Sequence, residues 1–191
     1  PICRTRFNIF GSQGDGRKIM QDGTVKVLNR KTDDLILAAL GTATNDTGSA
    51  TTASLALVAK AKAILGVNDV PVEEEDNMFG VMSPAMEAYL LQDDGYSSAD
   101  YVEMKPLVGP ARKMRRWAGI NWMVHSRVSG VGTSAEKCFV YHRSSIGHAA
   151  DVENVKAIPG YNEEEDYYWA RTSLFMGSAL LQNSGVCVIN H

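Results

Sequence analysis

The chain has 191 residues, of which 45% are hydrophobic and 21% charged, and its formal net charge is −3. These values are typical of one sizeable globular domain or two small lobes, and they exclude nucleic-acid binding driven by bulk positive charge. No apolar run reaches the roughly 18 to 20 residues of a membrane span, so we expect no membrane association, and we expect no signal peptide. Three scattered cysteines, Cys3, Cys138 and Cys187, argue against a disulfide scaffold and for a reducing compartment.

The first helix is predicted from Thr24 to Leu40. Residues 7–24 are rich in Gly, Asp, Ser and Gln, which predicts a loop with a short strand at Phe7–Phe10. Apolar residues then recur in steps of three and four, as in an amphipathic helix, and Gly41 is expected to end it. The expected inner stripe consists of Val25, Leu28, Thr32, Leu35 and Ala39.

A second helix is predicted from Thr51 to Leu65, after a polar turn over residues 42–48. Either Ser49 or Thr51 would cap its start, and Gly66 would end it. Four side chains are expected on one side of it, Leu55, Val58, Lys62 and Leu65, with the Lys62 amine reaching outward from that side.

A strand that leads directly into a capped helix follows. Residues 79–82 are apolar and predict the strand. Ser83 is a favourable N-cap and Pro84 suits the first helical position, which predicts a third helix that stops at residues 93–95. This order indicates an α+β lobe around a small sheet. Further strands are predicted at residues 120–124, 137–142, 167–176 and 185–189, with a loop at 130–133 and an acidic stretch at 162–166.

Residues 11–18 share the glycine content of a phosphate-binding loop but not its pattern. A Walker A loop reads G-x-x-x-x-G-K-[ST], whereas here Arg17 follows Gly16 and Ile19 stands at the hydroxyl position. A surface loop is the better interpretation, and we expect no nucleotide cofactor.

The sequence contains four candidate zinc ligands: His125, Cys138, His142 and His148. Their spacing lacks the C-x-x-C or H-x-x-x-H pairs of a strong metal motif. Cys138 and His142 are four residues apart, which on a strand is too far for easy joint ligation. Ordinary core and surface histidines are the preferred interpretation, so we expect no metal ligands.

A Cys–His or Ser–His catalytic pair is adjacent only in space, so the sequence leaves a small enzyme open as an alternative. Its candidate residues are Cys138, His142 and His148. No G-x-S-x-G nucleophile elbow is present, and Cys187 lies in an apolar run where a buried, unreactive thiol is expected. We therefore predict no catalytic residues and a non-enzymatic protein.

Two acidic runs, at residues 73–76 and 163–166, are typical of solvated loops. In an assembling protein they could also face a basic patch on a neighbouring copy, and such contacts steer association more than they raise affinity. The residues that would supply this patch are Arg112, Lys113, Arg115 and Arg116.

Four blocks occur in a defined order along the chain. They are R-K-T-D at residues 30–33, V-M-S-P at 81–84, Y-H-R-S-S-I-G-H-A at 141–149 and an apolar strand at 185–189. In this order they resemble the major capsid proteins of tailed bacteriophages, whose fold encapsulin shells share. That family carries an R-K-x-D pattern, a V-x-x-P helix start and a Y-H-x-x-A-I-G-x-A strand, with Ser145 here replacing the alanine. The resemblance covers about residues 24–191.

The resemblance implies an α+β protein with the tailed-phage capsid fold (Johnson fold), divided into a peripheral and an axial domain. Residues 1–50 and 150–191 would form the peripheral domain, with Thr24–Gly41 as its spine helix, and residues 51–149 the axial domain. The family's N-terminal arm and extended loop are expected to be missing or short. Because the chain begins at Pro1 rather than methionine, we expect it to be processed, trimmed or a fragment.

The resemblance also implies a structural function. Copies would assemble as hexamers and pentamers into an icosahedral head around double-stranded DNA, which they would hold without sequence-specific contacts. Scaffold, portal or decoration proteins would be further partners, and the mature protein would reside in the virion after assembly in the bacterial host cytoplasm. An encapsulin-like nanocompartment shell is the alternative within this fold, and a small α+β enzyme is the alternative from another class.

Overall fold

The computed structural model describes residues 2–5, 16–93, 96, 114–151 and 156–191. The strand predicted at Phe7–Phe10 and most of the glycine-rich loop at residues 11–18 lie outside these ranges. Within them the helices are α1 (Gly16–Leu40), α2 (Leu55–Val67) and α3 (Pro84–Leu90). The strands are β1 (Ile2–Thr5), β2 (Met78–Met82), β3 (Met114–Trp117), β4 (Ile120–Val124), β5 (Lys137–His142), β6 (Ile146–Ala150), β7 (Lys156–Asn162), β8 (Tyr167–Ser173), β9 (Met176–Leu180) and β10 (Val186–Asn190).

The chain divides into two compact units. Unit 1 comprises residues 1–35 and 148–177, and unit 2 comprises residues 36–147 and 178–191. These bounds differ from the sequence-based grouping, which joined the whole C-terminal segment to the N-terminal one. They differ because β10 pairs antiparallel with β5 inside unit 2, so the terminal strand belongs with the middle of the chain.

Unit 2 is built on a mixed sheet whose strand order among the described residues is β10–β5–β2–β4–β3. Strands β2 and β4 run parallel, whereas the other neighbouring pairs are antiparallel. Helix α2 packs against β10, and its buried side chains join those of the sheet in one apolar cluster. Fully buried members of this cluster include Leu65, Met82, Ile120, Trp122, Phe139 and Ile189.

Helix α2 begins and ends later than the sequence predicts. Ser54 is its N-cap, and the helix continues past Gly66 to Val67 before Asn68 forms the C-cap. Asp69, two residues after the helix, takes the left-handed φ of 57° that a glycine would otherwise provide. The predicted end at Gly66 was therefore wrong by one residue, since the exposed Gly66 and Val67 complete the last turn and Asn68 is the C-cap.

The buried side of α2 is also rotated from the predicted one. Leu57 and Ala61 are buried together with Val58 and Leu65, whereas Leu55 is only partly buried. Lys62 does not lie in the core: its Nζ donates to the carbonyl oxygen of Ala118 at 2.8 Å. Of the predicted side, Val58 and Leu65 are buried, Leu55 is partly buried, and the Lys62 amine reaches outward as expected.

Helix α1 is longer and far more exposed than the sequence predicts. It begins at Gly16 rather than Thr24 and spans 25 residues, about 37 Å. It ends at Leu40, and the N–H of Gly41 donates to the carbonyl of Leu37 at 2.9 Å, so the predicted end is confirmed. The predicted inward stripe was wrong in its first turns, because Val25 is 55% exposed.

The strand-to-helix signal at Ser83 is confirmed. Ser83 Oγ accepts a hydrogen bond from the N–H of Met86 at 3.0 Å, and Pro84 is the first helical residue. The predicted strands at residues 120–124 and 137–142 are also confirmed at both ends. Local chemistry is sufficient at these places because the cap and the β-branched run agree with the tertiary structure.

Unit 1 contains a three-stranded antiparallel sheet, with the order β1–β8–β7 among the described residues. The sequence predicts one strand at residues 167–176, but the chain breaks it at residues 174–175 into β8 and β9. β7 was not predicted. The acidic stretch at residues 162–166 is the turn that joins β7 to β8. A separate pair, β6 and β9, forms a two-stranded sheet.

Candidate assembly surfaces

No described side chain of unit 1 is buried. The described part of unit 2, in contrast, contains a continuous apolar core around its central sheet. Domains normally bury one face of each helix and sheet against another layer, because this burial supplies the main favourable free energy of folding. The helix and sheet of unit 1 therefore present surfaces that the described part of their own chain does not cover.

The β7–β8 hairpin has the most prominent aromatic surface of unit 1. Tyr161 and Tyr168 are cross-strand partners with ring centroids 5.0 Å apart, and they remain 38% and 36% exposed. Ile158 on β7 is 50% exposed, and Phe175, just beyond β8, is 77% exposed. Exposed Tyr and Phe side chains bury much area at little entropic cost, so they are enriched in protein interfaces.

The two edge strands of the central sheet, β10 and β3, differ in the hydrogen bonding of their outer sides. The outer edge of β10 is covered by residues 45–47: Val188 N–H donates to the carbonyl of Asn45 at 2.8 Å, and Thr47 N–H donates to that of Val188 at 3.0 Å. Strand β3 has no partner on its outer side within the described residues. Next to that edge Met114 and Met123 are exposed cross-strand neighbours, which makes it a second candidate contact.

The basic patch predicted to face a neighbour is paired inside its own chain. Arg115 Nη1 lies 3.0 Å from Glu87 Oε1. Arg116 pairs with Glu75 at 3.3 Å and with Asp76. The first acidic run is therefore an intramolecular partner of β3, and contact of these residues with a neighbouring copy stays a prediction. Arg112 and Lys113, the other two members of the patch, lie outside the described residues.

A buried polar cluster lies where helix α3 begins above the central sheet. Glu136 and Ser83 are buried at 2% and 0% exposure, and Glu136 Oε2 lies 3.1 Å from His191 Nε2. The same Nε2 atom is 3.2 Å from Ser83 Oγ and 3.4 Å from Cys138 Sγ. Glu136 directly precedes β5 and lies two residues before Cys138, but nothing local in the sequence points to His191.

The environment sets the protonation of this cluster. Burial raises the pKa of Glu136, but hydrogen bonds from Ser83 and the Gly132 N–H, together with the charge of His191, outweigh it and leave the pKa below its ordinary 4.5. Burial lowers the pKa of His191 from 6.5, with Glu136 acting in the opposite direction. Burial also raises the pKa of the Cys138 thiol to about 11. Near neutral pH the cluster therefore holds a carboxylate, a neutral imidazole and a thiol.

The cluster lacks the geometry of a nucleophilic catalyst. In a Ser–His–carboxylate triad the two ring nitrogens face different partners, whereas here Ser83 and Glu136 both approach Nε2. Ser83 Oγ is also the N-cap of α3. A thiol with a pKa of about 11 is a poor nucleophile at neutral pH, so Cys138 has the character of a structural cysteine.

The remaining candidates for chemistry are not brought together. His142 Nδ1 lies 2.8 Å from Ser144 Oγ, and His148 is an exposed residue of β6. Among the described residues no group of three or more His, Cys, Asp or Glu could hold a metal ion. Cys187 is buried and its pKa is raised to about 12 by burial, as expected of an unreactive thiol. In the same part of the chain, no helix is both long and apolar enough to cross a bilayer.

The family model for phage capsid proteins matches residues 13–191 of the chain. The chain belongs to the phage capsid protein family. We find no significant match to a curated protein sequence. The resemblance that the four sequence blocks suggest is thus confirmed, and this capsid protein is a structural protein of the virion.

Solved structures show the same fold. A protein of Mycobacterium phage Che8 matches with a TM-score of 0.74 at 17% identity, over 99% of this chain and 68% of that chain. The capsid of an empty GTA particle matches with a TM-score of 0.69 at 11% identity, over 98% and 70%. The capsid of Ralstonia phage GP4 matches with a TM-score of 0.68 at 15% identity, over 98% and 72%. The α+β phage capsid fold predicted from the sequence is confirmed.

Proposed function

We propose that this capsid protein assembles as hexamers and pentamers into an icosahedral head around double-stranded DNA. The observation that carries the proposal is the absence of any buried side chain among the described residues of unit 1. Neighbouring copies would cover these surfaces. Contacts of this kind are heterologous, so they close into rings and, with small adjustments, into shells.

Unit 1 has the properties of the peripheral domain and unit 2 those of the axial domain. Unit 1 contains most of the long helix α1, which corresponds to the spine helix, together with the β1–β8–β7 sheet. Unit 2 contains the central sheet and its core. The protein would act without catalysis, since Ser83 of the buried cluster caps α3 and the Cys138 thiol has a raised pKa of about 11. Assembly would take place in the bacterial host cytoplasm, with scaffold, portal or decoration proteins as further partners.

Sedimentation velocity of the purified chain, followed by negative-stain electron microscopy of the fast-sedimenting material, tests the proposal. We expect rings or shells with five-fold and six-fold units and, from infected cells, particles that contain DNA. Particles that contain protein cargo and no DNA would instead support the nanocompartment alternative. A chain that remains monomeric at high concentration, in its full-length form, would contradict the proposal.

Two double variants test whether the aromatic surface of unit 1 is an assembly contact. Tyr161→Ser with Tyr168→Ser should reduce the assembled fraction at least tenfold, because both exposed rings would lose their contact area. Tyr161→Phe with Tyr168→Phe keeps the rings and should assemble like the unmodified protein. Equal assembly of the two double variants would show that this aromatic surface is not a contact.

A further inference from the structure

Three glutamates of the acidic turn between β7 and β8 form no ion pair with the described part of the chain. Glu163, Glu164 and Glu165 are exposed, and none of their carboxylates forms an ion pair with a described residue. The other acidic run differs, since Glu75 and Asp76 pair with Arg116 of the same chain. The hairpin thus projects a net negative tip next to an exposed aromatic pair.

Helix α1 presents the opposite charge on an uncovered face. Lys26, Arg30 and Lys31 are exposed and form no ion pair with a described residue. Their spacing places them on one side of the helix together with Val27, which is 59% exposed. Asp22, one turn before Lys26, lowers the net charge of this face without pairing to Lys26.

These two surfaces belong to the same compact unit, yet they do not pair within it. The described residues thus pair Arg115 and Arg116 within the chain, but they provide no ion-pair partner for the three glutamates of the turn or the three cations of α1. We propose that the acidic hairpin tip of one copy docks on the basic face of α1 of a second copy, with Tyr161, Tyr168 and Val27 providing the apolar part of the contact. The inference rests on the proposed function, since it names one contact of the assembly.

The chemistry of this contact has a geometric consequence. Two different patches meet, so the interface is heterologous, and its repetition forms a ring when the rotation between copies closes. Opposite charges on exposed surfaces raise the association rate and fix register, and they do so less at high salt. Assembly should therefore slow as the salt concentration rises, while the aromatic part of the contact is unaffected by screening.

Charge reversal with rescue tests the contact on the full chain. The acidic-tip variant carries Glu163→Lys, Glu164→Lys and Glu165→Lys, and the basic-face variant carries Lys26→Glu, Arg30→Glu and Lys31→Glu. Each should lower the assembled fraction at least tenfold in sedimentation velocity, at unchanged far-UV circular dichroism. The combined variant contains all six changes and should recover assembly to within twofold. As a single-site comparison, Glu164→Lys should impair assembly more than Glu73→Lys in the other acidic run.

The possible outcomes distinguish failure of this contact from failure of the proposed function. If the unmodified chain forms shells and both triple variants do too, the contact does not exist while the function stands. If the combined variant is folded but stays defective, the two patches do not face each other. If the basic-face variant assembles normally but its particles contain less DNA, the helix faces nucleic acid and the inference is overturned. If either triple variant fails to fold, neutral variants at the same positions, Glu→Gln and Lys/Arg→Gln, replace it. They should lower the assembled fraction, though less than charge reversal does, and unchanged assembly would show that the contact does not exist.

Discussion

The substitution Gly80→Ala should destabilise unit 2, because Gly80 lies directly beneath a buried tryptophan. Gly80 on β2 and Trp122 on β4 are register partners. A Cβ at position 80 would lie 2.6 Å from Cζ3 and 2.8 Å from Cδ2 of the indole. Gly80 does not have a left-handed φ, so the cost is steric and does not come from backbone conformation.

The magnitude follows from how tightly the indole is held. Trp122 is 1% exposed, its Nε1 donates to the carbonyl of Trp117 at 3.2 Å, and its ring lies 6.3 Å from that of Trp117. Insertion of a methyl group into such a core costs about 1–3 kcal/mol. Displacement of the ring also weakens a hydrogen bond worth about 1 kcal/mol. We expect a loss of about 2–4 kcal/mol in the free energy of unfolding.

Gly160→Ala is the matched control, since Gly160 on β7 also lies beneath a cross-strand tryptophan. A Cβ there would lie 2.7 Å from Nε1 of Trp169. Trp169 is only partly buried and can move toward solvent. Alanine also reduces the conformational entropy of the unfolded chain by about 0.5–1 kcal/mol relative to glycine. The net change should stay within about 1 kcal/mol of zero.

Urea denaturation of the unassembled chain, followed by circular dichroism and tryptophan fluorescence, measures both effects. A cost for Gly160→Ala that equals or exceeds that for Gly80→Ala would refute the reasoning. So would an unchanged unfolding midpoint for Gly80→Ala.

Three further predictions concern the polar groups. The pKa values of Glu136 and His191 are both lowered in the folded chain, so the unfolded chain binds more protons. Thermal stability should therefore fall on acidification, from about pH 6.5 through His191 and below about pH 4.5 through Glu136. His191→Asn should remove the upper part of this pH dependence, and an unaltered profile would contradict the prediction. Peptide mapping after iodoacetamide treatment at pH 7 should find Cys138 and Cys187 unmodified until urea unfolds the chain, because burial raises their pKa values to about 11 and about 12. Ser83→Ala should cost about 1–2 kcal/mol through loss of the N-cap, whereas Ser83→Asn should recover part of it, and equal stability of the three proteins would exclude the cap as a source of stability.

The sequence predicted elements well where local chemistry decides them. Ser83-Pro84 specifies a helix start by itself, and the apolar runs at residues 120–124 and 137–142 give strands with the predicted ends. The four ordered blocks led to the correct family because their order reflects the whole fold. Helices and strands that a local sequence signal defines could thus be predicted from the sequence alone.

Elements that depend on distant partners were missed. Strand β3 is formed by pairing with β4, and its Arg115 and Arg116 are held by acidic residues far away in sequence. β7 contains Pro159 and Gly160, which weaken any strand signal, and it forms because β8 pairs with it along its full length. The pairing of Arg116 with the first acidic run was missed for the same reason, since no sequence pattern shows which acidic run is nearby.

The position of β10 in the central sheet has a consequence for synthesis of the protein. Val186–Asn190 fills the place between β5 and residues 45–47, so the sheet of unit 2 lacks this strand until the ribosome has exposed residue 190. A nascent copy therefore keeps an open strand edge beside an unfinished core. A chain ending at residue 185 should accumulate as insoluble or degraded material. In the proposed assembly, only copies in which β10 has been added would have a complete central sheet.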